Sequence, residues 1–236
     1  MNKNQKHRIL GLTLARGGSK SVPRKNIKPI AGLPLIGYTI AEALKSKFIT
    51  RYIVSTDDEE IRQVAIGCGA DAPFLRPNEF STDEASSVSA MQHAVDWVER
   101  QEGVEYDYIV ELMCTNPMKT VEDIDASIEK LMSTGADSVI AVHQLEDHHP
   151  ARIKKIIDDK ITDFCIPEIP ESRRQDLKPE AYIRSGSIYA LKRNYLMIEG
   201  KRYGSDNSRP YILPQERAVN IDTEVDFMAA ELMLNK

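Results

Sequence analysis

Ile9-Leu10-Gly11-Leu12-Thr13-Leu14-Ala15 runs without a spacer into Arg16-Gly17-Gly18-Ser19-Lys20-Ser21-Val22-Pro23-Arg24-Lys25-Asn26. An unbroken apolar run of this length reads as a strand buried on both faces. It is too short for a membrane span or for the core of a signal peptide, so it is read as a first strand. Adjacent glycines let the following backbone curl until its N–H groups point at anionic oxygens. Four cations, Arg16, Lys20, Arg24 and Lys25, fall within the same loop. Such a group suits a polyanion like a triphosphate, although it also suits a solvated basic turn; its place directly after the first strand favours phosphate. The order Gly-Gly-Ser-Lys followed by Pro23 is not a Walker A loop, and there is no GxGxxG dinucleotide fingerprint.

Outward from this stretch, short apolar runs alternate with helical periods. A helix is expected over 33–47 and a strand over 51–55. Thr56-Asp57-Asp58 then caps a helix that reaches about residue 67. A short strand is expected over 71–75, helices over 86–100 and 121–133, and strands over 106–113 and 137–143. The pattern closes with a strand over 186–191 and a helix over 225–235. Apolar strands separated by helices predict a doubly wound α/β fold, Rossmann-like, with a mostly parallel sheet. In such sheets, ligands bind beyond the carboxyl ends of the strands. The rhythm breaks over 145–184, where four prolines and scattered isoleucines predict an insert with strands of its own. This divides the chain into 1–144 plus 185–236 as the main domain and 145–184 as the insert.

The chain has 236 residues and a formal net charge of −5, which argues against wholesale binding of nucleic acid or an anionic membrane. Cys68, Cys114 and Cys165 are odd in number and far apart. They form neither a disulfide framework nor a standard zinc site, so reduced thiols and a cytoplasmic setting are expected.

Several motifs occur here in one order: Ala15-Arg16 with Ser19-Lys20, Pro23 and Lys25-Asn26; Ile53-Val54-Ser55-Thr56-Asp57; Arg76-Pro77 leading to Asp83 and Ala85-Ser86-Ser87; His148-His149-Pro150; Arg174-Gln175; Gly186-Ser187-Ile188-Tyr189; and Ile221-Asp222-Thr223-Glu224. In this the chain resembles the acylneuraminate cytidylyltransferases (CMP-sialic acid synthetases), nearly from end to end. The resemblance implies transfer of CMP from CTP to a 2-keto-3-deoxy sugar acid, sialic acid or a related nonulosonate, with release of pyrophosphate. It implies that Arg16, Gly17, Ser19, Lys20, Lys25 and Asn26 hold the nucleotide, with Arg16 and Lys25 offsetting charge on the departing pyrophosphate. Arg76, Ser86 and Ser87 would contact cytosine and ribose; Ser86-Ser87 also reads as a helix cap.

Asn220-Ile221-Asp222 stands where the family has Asp-Ile-Asp and binds Mg²⁺. The resemblance thus implies Asp222 and Asn220 at the metal, with Asp222 carrying the ligand charge. On the acceptor side it implies Gly186, Tyr189, Arg174 at the sugar carboxylate and, across a homodimer built by the insert, Arg152. Lys119 keeps a cation where the family has arginine, while two departures, Met113 for the family's glutamine and Ser185 for its asparagine, imply an acid other than the commonest sialic acid or a different pose of it. His148-His149 with Asp147 and His143 reads either as structure or as a metal cluster. Rival readings are a 3-deoxy-manno-octulosonate cytidylyltransferase and a non-catalytic nucleotide binder of the same fold.

Overall fold

The computed structural model describes residues 7–19 and 21–235. Its centre is a six-stranded sheet built on β1 (Ile9–Leu14). This strand pairs in parallel with β4 (Arg51–Ser55) on one side and β5 (Tyr108–Leu112) on the other. Beyond β5 come β9 (Tyr182–Lys192), β6 (Ser138–Gln144) and the edge strand β10 (Ser208–Ile212). Only β9 runs antiparallel to its neighbours within this sheet.

Helices cover both faces. On one lie α1 (Leu35–Lys45), α2 (Glu59–Gly67) and α4 (Val121–Thr134), burying Ile36, Ile40, Ile61, Ala65, Ile124 and Ile128. On the other lie α3 (Ser87–Glu102) and the short α5 (Arg193–Met197), with Met91, Ala94, Val95 and Val98 against Leu10 and Leu12. The i, i+3, i+4 spacing of these apolar residues gives each helix one face to bury. This is the doubly wound α/β arrangement that the alternation predicts. A third cluster joins Val22 and Ile30 to Ile221 and Phe227, which fixes the loop after β1 against α6 (Glu224–Leu234). Ile30 belongs to the small hairpin of β2 (Pro29–Ile30) and β3 (Leu33–Pro34).

Differences from expectation have local causes. The strand expected over 71–75 is reduced to two isolated bridges, Ile53 to Asp71 and Thr56 to Leu75. Pro73, which has no N–H to donate, stands between them. Strand β10 escapes the apolar pattern because it is an edge strand carrying Arg209 and Pro210. Strand β9 begins at Tyr182, inside the stretch expected to be insert. The rest of that stretch carries a hairpin apart from the main sheet, β7 (Lys154–Ile157) with β8 (Lys160–Asp163). Its turn places Asp158 and Asp159 at φ 48° and 59°, the positive values that a tight hairpin requires. Among the described residues, no helix is long and apolar enough to cross a membrane.

Candidate active site

The chain turns from β4 on one side of β1 to β5 on the other, and the carboxyl ends of β1 and β5 open onto the site. Just past β1, Gly17 donates its N–H to Asp57 Oδ1 at 3.1 Å. A Cβ on Gly17 would lie 2.8 Å from Asp58 Oδ2, so a side chain there would have to displace the Asp58 carboxylate. The Gly17 N–H expected to face phosphate is therefore already bound to a carboxylate. Arg24 also departs from expectation. Its guanidinium forks onto Asp58 at 2.5 and 3.0 Å and reaches Glu60, anchoring the loop to the start of α2 instead of facing a ligand. The Arg24 hydrogen bond holds the Asp58 carboxyl low, at about 2. Asn26 is buried, donating to the Arg16 carbonyl at 2.9 Å and accepting from the Cys114 thiol at 3.0 Å. Lys20 lies outside the described residues.

Two adjoining cavities result. One, of about 330 Å³, is lined by Arg76, Ser81, Asp83, Ser86, Ser87 and Glu111. The other, of about 310 Å³, is lined by Ser19, Ser21, Lys25, Asn26, Thr115 and Asp222. Leu14, Arg16 and Met113 belong to both and stand at the junction. The buried Arg76 donates from Nε to Ser81 Oγ at 2.9 Å and from its backbone N–H to the Thr56 carbonyl at 2.7 Å. Ser86 serves both of its readings. It caps α3 by accepting from the Ser89 N–H at 3.0 Å, and it lines the first cavity. Arg16 reaches across the opening to Asp83 at 3.0 Å.

In the second cavity, Lys25 Nζ donates to the Ile221 carbonyl at 2.7 Å and lies 3.4 Å from Asp222 Oδ1. Asn220 Nδ2 donates to Asp222 Oδ2 at 2.5 Å, and Asn220 Oδ1 is buried without a hydrogen-bond partner. The amide thus turns its nitrogen to the carboxylate, which orients Asp222 and leaves one exposed anionic ligand there. Among the described residues, no group of three or more His, Cys, Asp or Glu is placed to hold a metal. One carboxylate nevertheless fits Mg²⁺, which keeps few protein ligands and takes most of its oxygens from phosphates and water.

The expected acceptor residues are more scattered. Gly186 (φ 60°) packs against Asn220, whose Oδ1 would lie 3.1 Å from a Cβ there. Tyr189 is buried, its ring covered by Arg202 at 4.2 Å, and does not line either cavity. Arg152 pairs with Glu168, and Arg174 with Glu146 and Asp147, both outside the two cavities. Lys119 presents no cation to a sugar. It is buried, and its Nζ donates to Thr39 Oγ1 and the Met113 carbonyl at 2.7 Å and to the Asn116 carbonyl at 2.5 Å. Burial pushes its pKa down to about 7. His149 is structural, with Nε2 donating to the Pro179 carbonyl at 2.8 Å and Nδ1 accepting from the Ala151 N–H. Sequence reasoning missed Glu111, Thr115 and Cys114, which lie at or just beyond the end of β5. Glu111 was the findable one, a lone carboxylate in a strand otherwise apolar.

Comparison with known proteins places these features in context. The sequence model of a family described as Cytidylyltransferase matches residues 10–223. The chain is 33% identical over 220 residues to pseudaminic acid cytidylyltransferase of Campylobacter jejuni subsp. jejuni serotype O:23/36 (strain 81-176), covering 93% of each. It is 34% identical over 230 residues to N-acylneuraminate cytidylyltransferase A of Danio rerio, covering 97% of this chain and 51% of that longer protein. The solved structure of CMP:2-keto-3-deoxy-manno-octonic acid synthetase in complex with CTP superposes with a TM-score of 0.70 at 19% identity, over 97% of this chain and 98% of that one.

Proposed function

The chain belongs to the cytidylyltransferase family, and from that premise we propose that it transfers CMP from CTP to a nine-carbon 2-keto-3-deoxy sugar acid, a nonulosonate, releasing pyrophosphate. The observation that carries this reading is the junction of the two cavities at Arg16 and Met113, with Arg76 and the two serines on one side and Lys25 and Asp222 on the other. The first cavity suits a pyrimidine, whose edge needs a few fixed donors and acceptors. The second suits a triphosphate. The α-phosphorus then lies near Met113, where the anomeric hydroxyl of the acid attacks it in line. The new P–O bond forms as the bond from the α-phosphorus to the bridging oxygen breaks, pyrophosphate leaves with that oxygen, and the hydroxyl proton passes to solvent. No covalent enzyme intermediate is required, so positioning and charge do the work.

Arg16 exchanges Asp83 for a phosphate oxygen, and Lys25 holds the leaving pyrophosphate. Asp222, oriented by Asn220, is the residue that would hold Mg²⁺, which when bound supplies positive charge to the phosphate oxygens. Support for a homodimer comes from the hairpin, where Ile156 and Ile161 face each other across β7 and β8 and are about three-quarters exposed within one chain. In that assembly Arg152 serves the partner's site and Arg174 the sugar carboxylate. The free thiols agree with a cytoplasmic setting.

The test is pyrophosphate release from CTP and Mg²⁺ against a panel of nine- and eight-carbon keto acids. Release with a nine-carbon acid and CTP is the expected result. Release with the eight-carbon acid alone favours the octulosonate reading, and CTP binding with no release favours the non-catalytic one.

A further inference from the structure

One buried cluster has no part in the mechanism above. Glu111 and Tyr189 stand directly opposite each other in the β5–β9 pairing, so their side chains share a face of the sheet. Onto them comes Arg202 from the loop after α5. Its Nη1 donates to Glu111 Oε2 at 2.6 Å, and its guanidinium lies 4.2 Å from the Tyr189 ring centre and 5.7 Å from that of Tyr203. Arg184 covers Tyr203 at 4.3 Å. Both members of the ion pair are nearly inaccessible, with side-chain exposures of 3% for Glu111 and 12% for Arg202. Burial raises the Glu111 carboxyl, and Arg202 opposes that rise. An apolar pair of similar volume would cost the fold little or nothing. Stability alone thus does not account for a charged pair here.

Its position bears on ligand binding. Glu111 lines the first cavity, and Arg202 lines a neighbouring one that shares Ser86 and Ser87 with it. Met113, at the junction where the reaction takes place, lies two residues beyond Glu111 in an extended segment and so on the same face. Arg76 approaches from the opposite flank. Leu75 bridges to the end of β4, and β4 is separated from β5 by β1, a span of about 10 Å at ordinary strand spacing. The base on the Arg76 flank and the phosphates in the second cavity leave the Glu111 flank to the acceptor.

Resting on the functional reading above, we propose that Glu111 and Arg202 are specificity-determining residues, which read an acylamino or hydroxyl substituent of the acid sugar remote from its reacting hydroxyl. The guanidinium donates to the amide carbonyl and the carboxylate accepts from the amide N–H, with Tyr189 as the floor beneath them. A site built to hydrogen-bond a substituent discriminates against acids that lack it, because the bonds made to that substituent are then lost.

The experiment compares wild type, Glu111→Gln, Arg202→Lys and the double change Glu111→Leu with Arg202→Leu, using kcat and KM for N-acylated nine-carbon acids, the unacylated eight-carbon acid, CTP and UTP. The double variant is expected to lose about tenfold or more in kcat/KM for acylated acids. That loss should appear chiefly as a raised acid KM, with a smaller change for the eight-carbon acid and for the KM of CTP. The two conservative variants should fall between. An equal loss on every acid, accompanied by a lower melting temperature, would make the pair structural and overturn the proposal. A change in CTP-over-UTP preference with the acid ranking intact would assign the pair to the base and overturn it equally. A folded wild-type protein that forms no CMP-acid at all would overturn the functional reading itself.

Discussion

The loop after β1 and the β7–β8 hairpin are both rich in charge, yet they meet their surroundings in opposite ways. In the loop nearly every polar group described has a partner within the chain. Gly17 holds Asp57, Arg24 holds Asp58 and Glu60, Asn26 holds the Arg16 carbonyl, and Lys25 holds the Ile221 carbonyl. The hairpin instead leaves Ile156, Ile157, Ile161 and Phe164 exposed. On the proposed reading, the loop that meets the triphosphate is held in place beforehand, so that its ordering is not charged against binding. Apolar groups this exposed among the described residues are the kind of patch that marks an interaction surface. The first region is completed by folding within one chain; the second is where the proposed homodimer covers apolar surface.

That contrast can be broken most sharply at Lys25. Lys25→Ala is expected to lower kcat/KM by about 10²–10³-fold, as for removal of a fixed charge beside a developing negative one. The lost bond to the Ile221 carbonyl should cost only about 1 kcal/mol of stability. Steady-state kinetics beside a thermal melt separates the two effects, and an unfolded variant would show that the loop is mainly structural. The hairpin should behave in reverse. Ile156→Asp with Ile161→Asp puts two like charges on a face already exposed in one chain. The protein should run as a monomer by light scattering, with its melting transition little changed. A dimer that survives this change places the interface elsewhere.

The smallest expected effect concerns the anchoring of the loop. Asp58 is held at about 2, below its ordinary value of 3.8. A carboxyl lowered in this way stabilises the folded protein above about pH 4, and the contribution is lost as pH falls through about 2. Arg24→Ala should remove it, moving the acid limb of the stability profile to higher pH by the equivalent of about 1 kcal/mol after solvent screening. Activity should change far less than in the Lys25 variant, since Arg24 faces away from both cavities. An unaltered acid limb would show that the Arg24–Asp58 pair contributes nothing measurable.

The sequence by itself determined the fold class, because apolar period and element length decide whether a segment can be buried as strand or helix. It also located the loop after β1 and the 220–222 segment, whose residue types stand in one recognisable order. Only the tertiary structure decided which of those groups remain available to a ligand. Four cations read alike in the sequence, but Arg24 is taken by two carboxylates while Arg16 and Lys25 line the cavities. Lys119 reads as a site cation and is instead bound to three oxygens beneath the Met113 turn. Glu111 and Arg202 are 91 residues apart and meet only because β9 inserts antiparallel beside β5 and turns the following loop back over its end. Periodicity reports burial along one segment. Pairing between distant charges depends on strand order and direction, which no local pattern encodes.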